Sequence, residues 1–412
     1  MKILQINSVY GVGSTGKITR DIHLKLLESG IESVVLYGRG NTVNEKGVYR
    51  ISSDSYAKVN NLWSRITGIR YGGCRCSTAK ICRMILEEKP DVVHLQCVNE
   101  HFVNIYDLVT WLKKHRIPMV LTLHAEFMYT ANCPHAFDCE RWQTGCGQCP
   151  RVYQATKSLI FDRTHESYLK MKKAFDGFEN GLEIVSVSPW LMERAKKSPI
   201  LNGKQHRVIC NGVDTTIFCP TNDDLIESKY CKAGRKLVFH ATAFFSDAKG
   251  DPKGGAYVLE LARKMEHENV LFLIAGKYEI RGDVPGNVVL LGEIKDQQNL
   301  AAYYSAAAVT LLTSKRETYS MVCAESLCCG TPVAGFEAGA PEQICLPGFS
   351  TFVRQGDMDA LQTAILFWLD KPKDTSLAEM AQKKYGKDHM ISAYMDSYRA
   401  VINKKNADVS RR

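Results

Sequence analysis

The chain has 412 residues, 45% of them hydrophobic, with 53 Lys and Arg against 44 Asp and Glu. One hydrophobic core rarely grows that large, so two domains are expected. The composition excludes a disordered or fibrous class, and no apolar run approaches the ~18 residues of a membrane-spanning helix.

Met1-Lys2 leads straight into a strand-like run, with no charged segment, apolar stretch and cleavage site, so a cytoplasmic location is expected. Strand candidates then alternate with helical patterns. In the first half they are Ile3–Ile6, Ser33–Tyr37, Val92–Leu95, Met119–Leu123 and Ile184–Val187. In the second half they are Val208–Ile209, Leu237–Ala241, Val270–Ala275, Val288–Leu291, Val309–Leu312 and Pro332–Phe336. The alternation predicts an α/β fold of two doubly wound Rossmann-like domains facing each other across a cleft. The expected domains are 1–205 and 206–385, joined near the turn Asn211-Gly212-Val213-Asp214. Residues 386–412 are expected to form a helix packing back on the N-terminal domain, with a frayed polar tail.

Gly11-Val12-Gly13-Ser14-Thr15-Gly16-Lys17 follows the first strand and opens a helix. It nearly matches a P-loop, but Ile18 stands where that motif needs a Mg²⁺-binding hydroxyl. Small residues here let backbone approach a phosphate or an acceptor, and a plain tight turn is the alternative. Trp63-Ser64-Arg65-Ile66-Thr67-Gly68-Ile69-Arg70-Tyr71 mixes aromatic, aliphatic and basic residues as an interfacial surface does, although an ordinary loop reads the same way. Charge leans the same way. Residues 1–200 hold 27 Lys and Arg against 19 Asp and Glu, and residues 201–412 hold 26 against 25. A basic N-terminal half suits anionic membrane. No nucleic-acid-binding motif accompanies it.

His124 ends the Leu121-Thr122-Leu123-His124 stretch, at a strand end. Of the fifteen cysteines, most sit singly among apolar residues and read as buried thiols. Cys133, Cys139, Cys146 and Cys149 differ, falling within one Gly- and Pro-rich segment with the spacing C-x5-C-x6-C-x2-C. One structural zinc, four free thiols or two disulfides fit that spacing, with His135 as a substitute ligand.

Lys253-Gly254-Gly255 opens a helix in the second half. Further on, Glu317 follows the Val309–Leu312 strand and Glu325 lies eight positions later in a helical stretch starting near Thr318 to Met321 and closing at Gly330. Carboxylates accept hydrogen bonds from sugar hydroxyls, and free N–H groups at a helix start hold a diphosphate.

In this order, with Gly330-Thr331-Pro332-Val333, Asn211-Gly212-Val213-Asp214, Phe218 and Pro220, these stretches resemble the retaining glycosyltransferases of family four, which have the GT-B fold. Asn132-Cys133-Pro134, Cys139, Trp142 and Gly145-Cys146-Gly147-Gln148-Cys149-Pro150 look like a subgroup found in bacterial colanic acid, capsule and O-antigen clusters. The resemblance implies an acceptor-binding N-terminal domain and a C-terminal domain binding a nucleotide-diphosphate sugar, with UDP favoured over GDP. It implies transfer with retention to a lipid-linked glycan on the inner face of the membrane. His124 would contact the donor sugar near its reacting carbon, Glu317 its hydroxyls, and Glu325 the ribose. Lys253, with Ser320 and Met321 N–H groups, would hold the diphosphate. Gly13 would lie on the donor side, and Gly11 and Gly16 on the acceptor side. Relatives carry an arginine shortly before Lys253. This chain has none there, which leaves Lys249 as the substitute or Lys253 alone. No cofactor is expected to be required for catalysis. A sugar-nucleotide epimerase of the same architecture and a non-catalytic scaffold in a polysaccharide assembly complex are the competing readings.

Overall fold

Val92–Leu95, Met119–Leu123 and Leu182–Ser186 are buried at every position, as in strands covered on both faces rather than one. A computed structural model of the protein describes residues 1–222 and 224–409. The chain divides into two compact units. Unit 1 is Met1–Cys210 with Ile391 onward, and unit 2 is Asn211–Met390.

Unit 1 is built on β1 (Lys2–Asn7), β2 (Glu32–Tyr37), β3 (Val48–Arg50), β4 (Val92–Leu95), β5 (Met119–Leu123), β6 (Leu182–Ser186) and β7 (Gln205–Val208). All pair in parallel, in the order β3-β2-β1-β4-β5-β6-β7. Strand order reverses between β1 and β4, and ligands of such sheets sit beyond the carboxyl ends at that switch point. The predicted Val208–Ile209 strand belongs elsewhere than expected. β7 pairs with β6, so residues 205–208 extend the first sheet instead of opening the second domain.

The long helix Lys387–Val409 supplies two tyrosines to unit 1. Tyr398 Oη lies 2.9 Å from His94 Nδ1, and Tyr394 Oη lies 3.0 Å from Thr122 Oγ1, which is 2.8 Å from His94 Nε2. Burial lowers the His94 pKa to about 3, so this network is uncharged at neutral pH.

Unit 2 repeats the plan with β8 (Lys236–Ser246), β9 (Val270–Glu279), β10 (Val288–Gly292), β11 (Val309–Leu312), β12 (Val333–Phe336) and β13 (Ser350–Val353). Its order is β10-β9-β8-β11-β12-β13, again all parallel. The switch point here falls between β8 and β11. Val238, Phe272, Ile274, Leu311, Phe336 and Trp368 belong to one buried apolar cluster that holds sheet and helices together. Asn211 and Val213 at the start of the unit bond to its far end: Val213 N donates to Tyr385 O at 2.7 Å and Lys387 N to Val213 O at 2.9 Å.

Candidate active site

The β8 and β11 carboxyl ends bring Lys253 and Glu317 together although 64 positions separate them. Lys253 Nζ donates to Glu317 Oε1 at 2.6 Å. Backbone contacts fix both residues. Thr313 Oγ1 donates to Lys253 O at 2.9 Å, and Lys315 N donates to Pro252 O at 2.8 Å. Gly254 sits at φ 72°, where an added Cβ would fall 2.3 Å from Thr313 O, so the Lys253 loop can lie this close to β11 only with glycine there. On the other side, Glu317 N donates to Ala338 O at 2.9 Å and Ala340 N to Glu317 O at 3.2 Å. Glu342 holds that second loop by accepting from Ala338 N and Gly339 N.

The helix after Glu317 begins at Met321, the far end of the expected range, and runs to Cys328. Glu317 therefore lies in extended loop and Glu325 in the second helical turn. Ser320 caps the helix, its Oγ accepting from Cys323 N at 3.4 Å. Its φ of 93° is rare for a residue with a side chain and stores about 1–3 kcal/mol of strain. The Met321 and Val322 N–H groups precede the helix's own hydrogen bonds, which leaves them for a ligand or solvent. Glu325 is held by Tyr304, whose Oη donates to Oε2 at 3.2 Å. Tyr304 is fully buried, and burial with the Glu325 charge pushes its pKa well above the usual value. Lys249 is exposed, and its carbonyl accepts from Lys315 Nζ at 3.1 Å.

Thr313, Tyr304 and His240 were not singled out in the sequence for a role here. Thr313 and Tyr304 carry no local signal, since each matters through a residue far along the chain. His240 ends the apolar stretch of β8. Its Nδ1 lies 3.0 Å from Leu311 O, and its buried Nε2 has no hydrogen-bond partner. Burial, and secondarily the Lys253 charge, lowers its pKa to about 4. The neutral ring donates through Nδ1 and leaves Nε2 an acceptor.

In unit 1, Gly11 N donates to Gly16 O at 2.9 Å, closing the loop at the head of the Gly13–Glu28 helix. Gly11 and Gly13 have φ of 70° and 64°. No side chain caps this helix, and its first turn contains no acidic residue. Side-chain amides link that helix to His124. Gln5 Nε2 donates to Thr19 O at 3.2 Å, Gln96 Nε2 to Gln5 Oε1 at 2.8 Å, and His124 Nε2 lies 3.4 Å from Gln96 Oε1. Burial lowers the His124 pKa to about 4, so the ring is neutral near pH 7.

Two residues past His124, the fully buried Glu126 accepts from Arg194 Nε at 2.7 Å, from Tyr129 Oη at 2.5 Å and from Ala136 N. Arg194 also lies 5.0 Å from the ring centres of both Trp142 and Trp190. This pair ties the cysteine-bearing segment to unit 1. Cys133, Cys139, Cys146 and Cys149 all line one small cavity there. No disulfide joins them, and among the described residues no three His, Cys, Asp or Glu side chains converge as metal ligands.

Residues 242–387, most of unit 2, match the family described as Glycosyl transferases group 1. Over 97% of this chain and 99% of the relative, the sequence is 23% identical to WcaC of Escherichia coli, assigned as a colanic acid biosynthesis glycosyl transferase. The fold matches a sucrose-phosphate synthase from Thermosynechococcus elongatus, at TM-score 0.66 and 15% identity, over 98% of this chain and 100% of that one. It also matches Anabaena Alr3699/HepE solved with UDP, at TM-score 0.63 and 15% identity, over 97% and 100% of the two chains. The two-sheet α/β fold is that of the GT-B glycosyltransferases.

Proposed function

We propose that this chain, a glycosyltransferase whose second unit carries the group 1 match, transfers a sugar with retention from a UDP-sugar to a lipid-linked glycan in surface-polysaccharide synthesis. The observation that carries the reading is the 2.6 Å pairing of Lys253 with Glu317 at the switch point of unit 2, beside the free helix start at Met321. Breaking the donor's sugar–phosphate bond builds negative charge on the diphosphate and positive charge on the ring. Lys253 and the Met321 and Val322 N–H groups offset the first, and Glu317 holds sugar hydroxyls against the second. Glu325, steadied by Tyr304, holds the ribose. UDP is favoured by the HepE complex and surface polysaccharide by the WcaC similarity. Mixing the protein with a panel of UDP-, GDP- and ADP-sugars and following anomeric signals by NMR is the test. Turnover of a UDP-sugar releasing the retained anomer is expected. An inverted product, or turnover of GDP-sugars alone, would refute the corresponding part.

The acceptor's lipid also gives unit 1 a surface to meet. On the Asp54–Thr67 helix, Val59, Leu62, Trp63 and Ile66 fall at i, i+3, i+4 and i+7, one face, and all four are exposed, Val59 at 66% and Leu62 at 55%. Leu159 N donates to Arg65 O at 2.8 Å, which sets Leu159, Ile160 and Phe161, also exposed, beside that face. Residues 54–75 and 151–163 hold seven Lys and Arg against Asp54 and Asp162. Arg163 lies over Phe161 and Lys157 over Tyr153. An apolar stripe rimmed by cations suits an anionic lipid surface, each cation near it contributing about 1 kcal/mol. The protein should float with phosphatidylglycerol-containing vesicles at low salt and less at high salt. Leu62→Asp with Ile160→Asp should abolish flotation without changing donor hydrolysis. Absence of flotation at low salt, or a dimer that hides the stripe, would remove the idea.

A further inference from the structure

We propose that Cys133, Cys139, Cys146 and Cys149 bind one structural zinc ion, a site outside the transfer chemistry described above. The first and last of these cysteines stand sixteen positions apart, yet all four line one cavity of about 20 Å³. That is close to the space one small ion or water occupies, and too little for a substrate. Four thiols are the donor set of closed tetrahedral zinc sites, at about 2.3 Å from the metal. The thiols line this cavity without yet meeting at a point, and rotation of their short side chains inward is the movement metal binding requires.

A second observation points to the same ligand. Arg141 also lines the cavity, and its Nη1 donates to Gly147 O at 3.0 Å and Gln148 O at 2.6 Å. It thereby clamps the Cys146-Gly147-Gln148-Cys149 turn, in which Gly147 has φ 153°. Arg151 stands nearby, its Nη2 donating to Ala136 O at 2.9 Å. Binding Zn²⁺ to four thiols releases four protons and leaves a centre of net charge −2, which the two guanidinium groups offset. Trp142, which packs against Arg194, lines the same cavity, so the metal would join the four thiols beside an anchored wall.

The test uses the full chain purified without added metal. Elemental analysis should find about one zinc per chain. After chelation, Co²⁺ should rebind and give the intense near-ultraviolet thiolate-to-cobalt absorption, and Zn²⁺ should displace it. Cys149→Ser and Cys139→Ser should each lose most of the zinc while the Co²⁺ band weakens. Because either variant could unfold the segment, the wild-type cobalt spectrum decides independently. Negligible zinc with four readily titrated thiols, Co²⁺ binding without the thiolate band, or disulfides found by mass spectrometry would each overturn the site. None of these readouts depends on glycosyl transfer, so failure here leaves the proposed function standing.

Discussion

Glu317→Ala is expected to lower transfer turnover by about 10²-fold or more, and Lys253→Ala by a similar factor, the usual cost of removing one preorganised electrostatic contact at a reacting centre. The two residues form one unit. Lys253 Nζ reaches Glu317 Oε1 at 2.6 Å, and each keeps the other extended toward the space above β8 and β11. The double variant should therefore lose much less than the product of the single losses. Stability should barely change, because the Lys253 side chain is 42% exposed and ion pairs of that exposure contribute little to folding. The measurement is kcat and KM for each variant, with a thermal melt as control. Near-normal kcat in either single variant would sink the assigned roles. A fall in kcat accompanied by a large drop in melting temperature would mean the pair is structural.

The largest effect on stability is expected from Glu126→Ala. The carboxylate is wholly buried and serves three donors, Arg194 Nε, Tyr129 Oη and Ala136 N. Its removal strands the Arg194 guanidinium between two tryptophan rings with no counter-charge. Breaking a buried pair in this way costs about 3–5 kcal/mol, which for a unit of this size lowers Tm by on the order of 10 °C. Glu126→Gln keeps the shape and one acceptor and should fall between the two. Arg194→Ala should match Glu126→Ala, since it leaves the opposite charge buried. A loss below about 1 kcal/mol in Glu126→Ala, measured by denaturant titration, would show that the pair is not needed to hold the segment.

Strands buried on both faces announce themselves in sequence as unbroken apolar runs, which is why β4, β5, β9, β11 and β12 were legible. β3 and β13 were not. Val48–Arg50 is three residues long, and Ser350–Val353 is a half-buried edge strand, so neither offers an apolar run of readable length. β8 continues to Ser246, past the predicted end at Ala241, across a register shift between Ala241 and Phe244. Phe244 there is exposed, so the extension follows pairing with β9 rather than burial. At the site, Glu317, Glu325 and Lys253 were visible only through motif resemblance, because their meeting depends on which strands lie side by side. Glu126 had no signal at all. Its partners Arg194 and Tyr129 are placed by tertiary packing, and a lone glutamate after a strand reads as solvated. The last pair of the four cysteines is a recognisable turn, whereas the arrival of Cys133 and Cys139 at the same cavity depends on the whole segment's path.

The hydrogen bonds at Val213 set the order in which this protein can be made. Unit 1 is interrupted in the chain, because Tyr394 and Tyr398 bond to Thr122 and His94 across 272 and 304 positions. Closing an unstructured loop of that length would cost about 5 kcal/mol of chain entropy, by (3/2)RT ln n. Once folded, unit 2 shortens that loop to about 100–130 residues and by the same expression removes about 1 kcal/mol of the cost. Its first and last residues are already side by side, with Val213 bonded to Tyr385 and Lys387 and Lys387 Nζ bonded to Asp214 at 2.6 Å. On the ribosome, the first 210 residues emerge with His94 and Thr122 still lacking their tyrosines. The unit begun first is thus the one finished last, and the later unit serves as the clasp that delivers its closing helix.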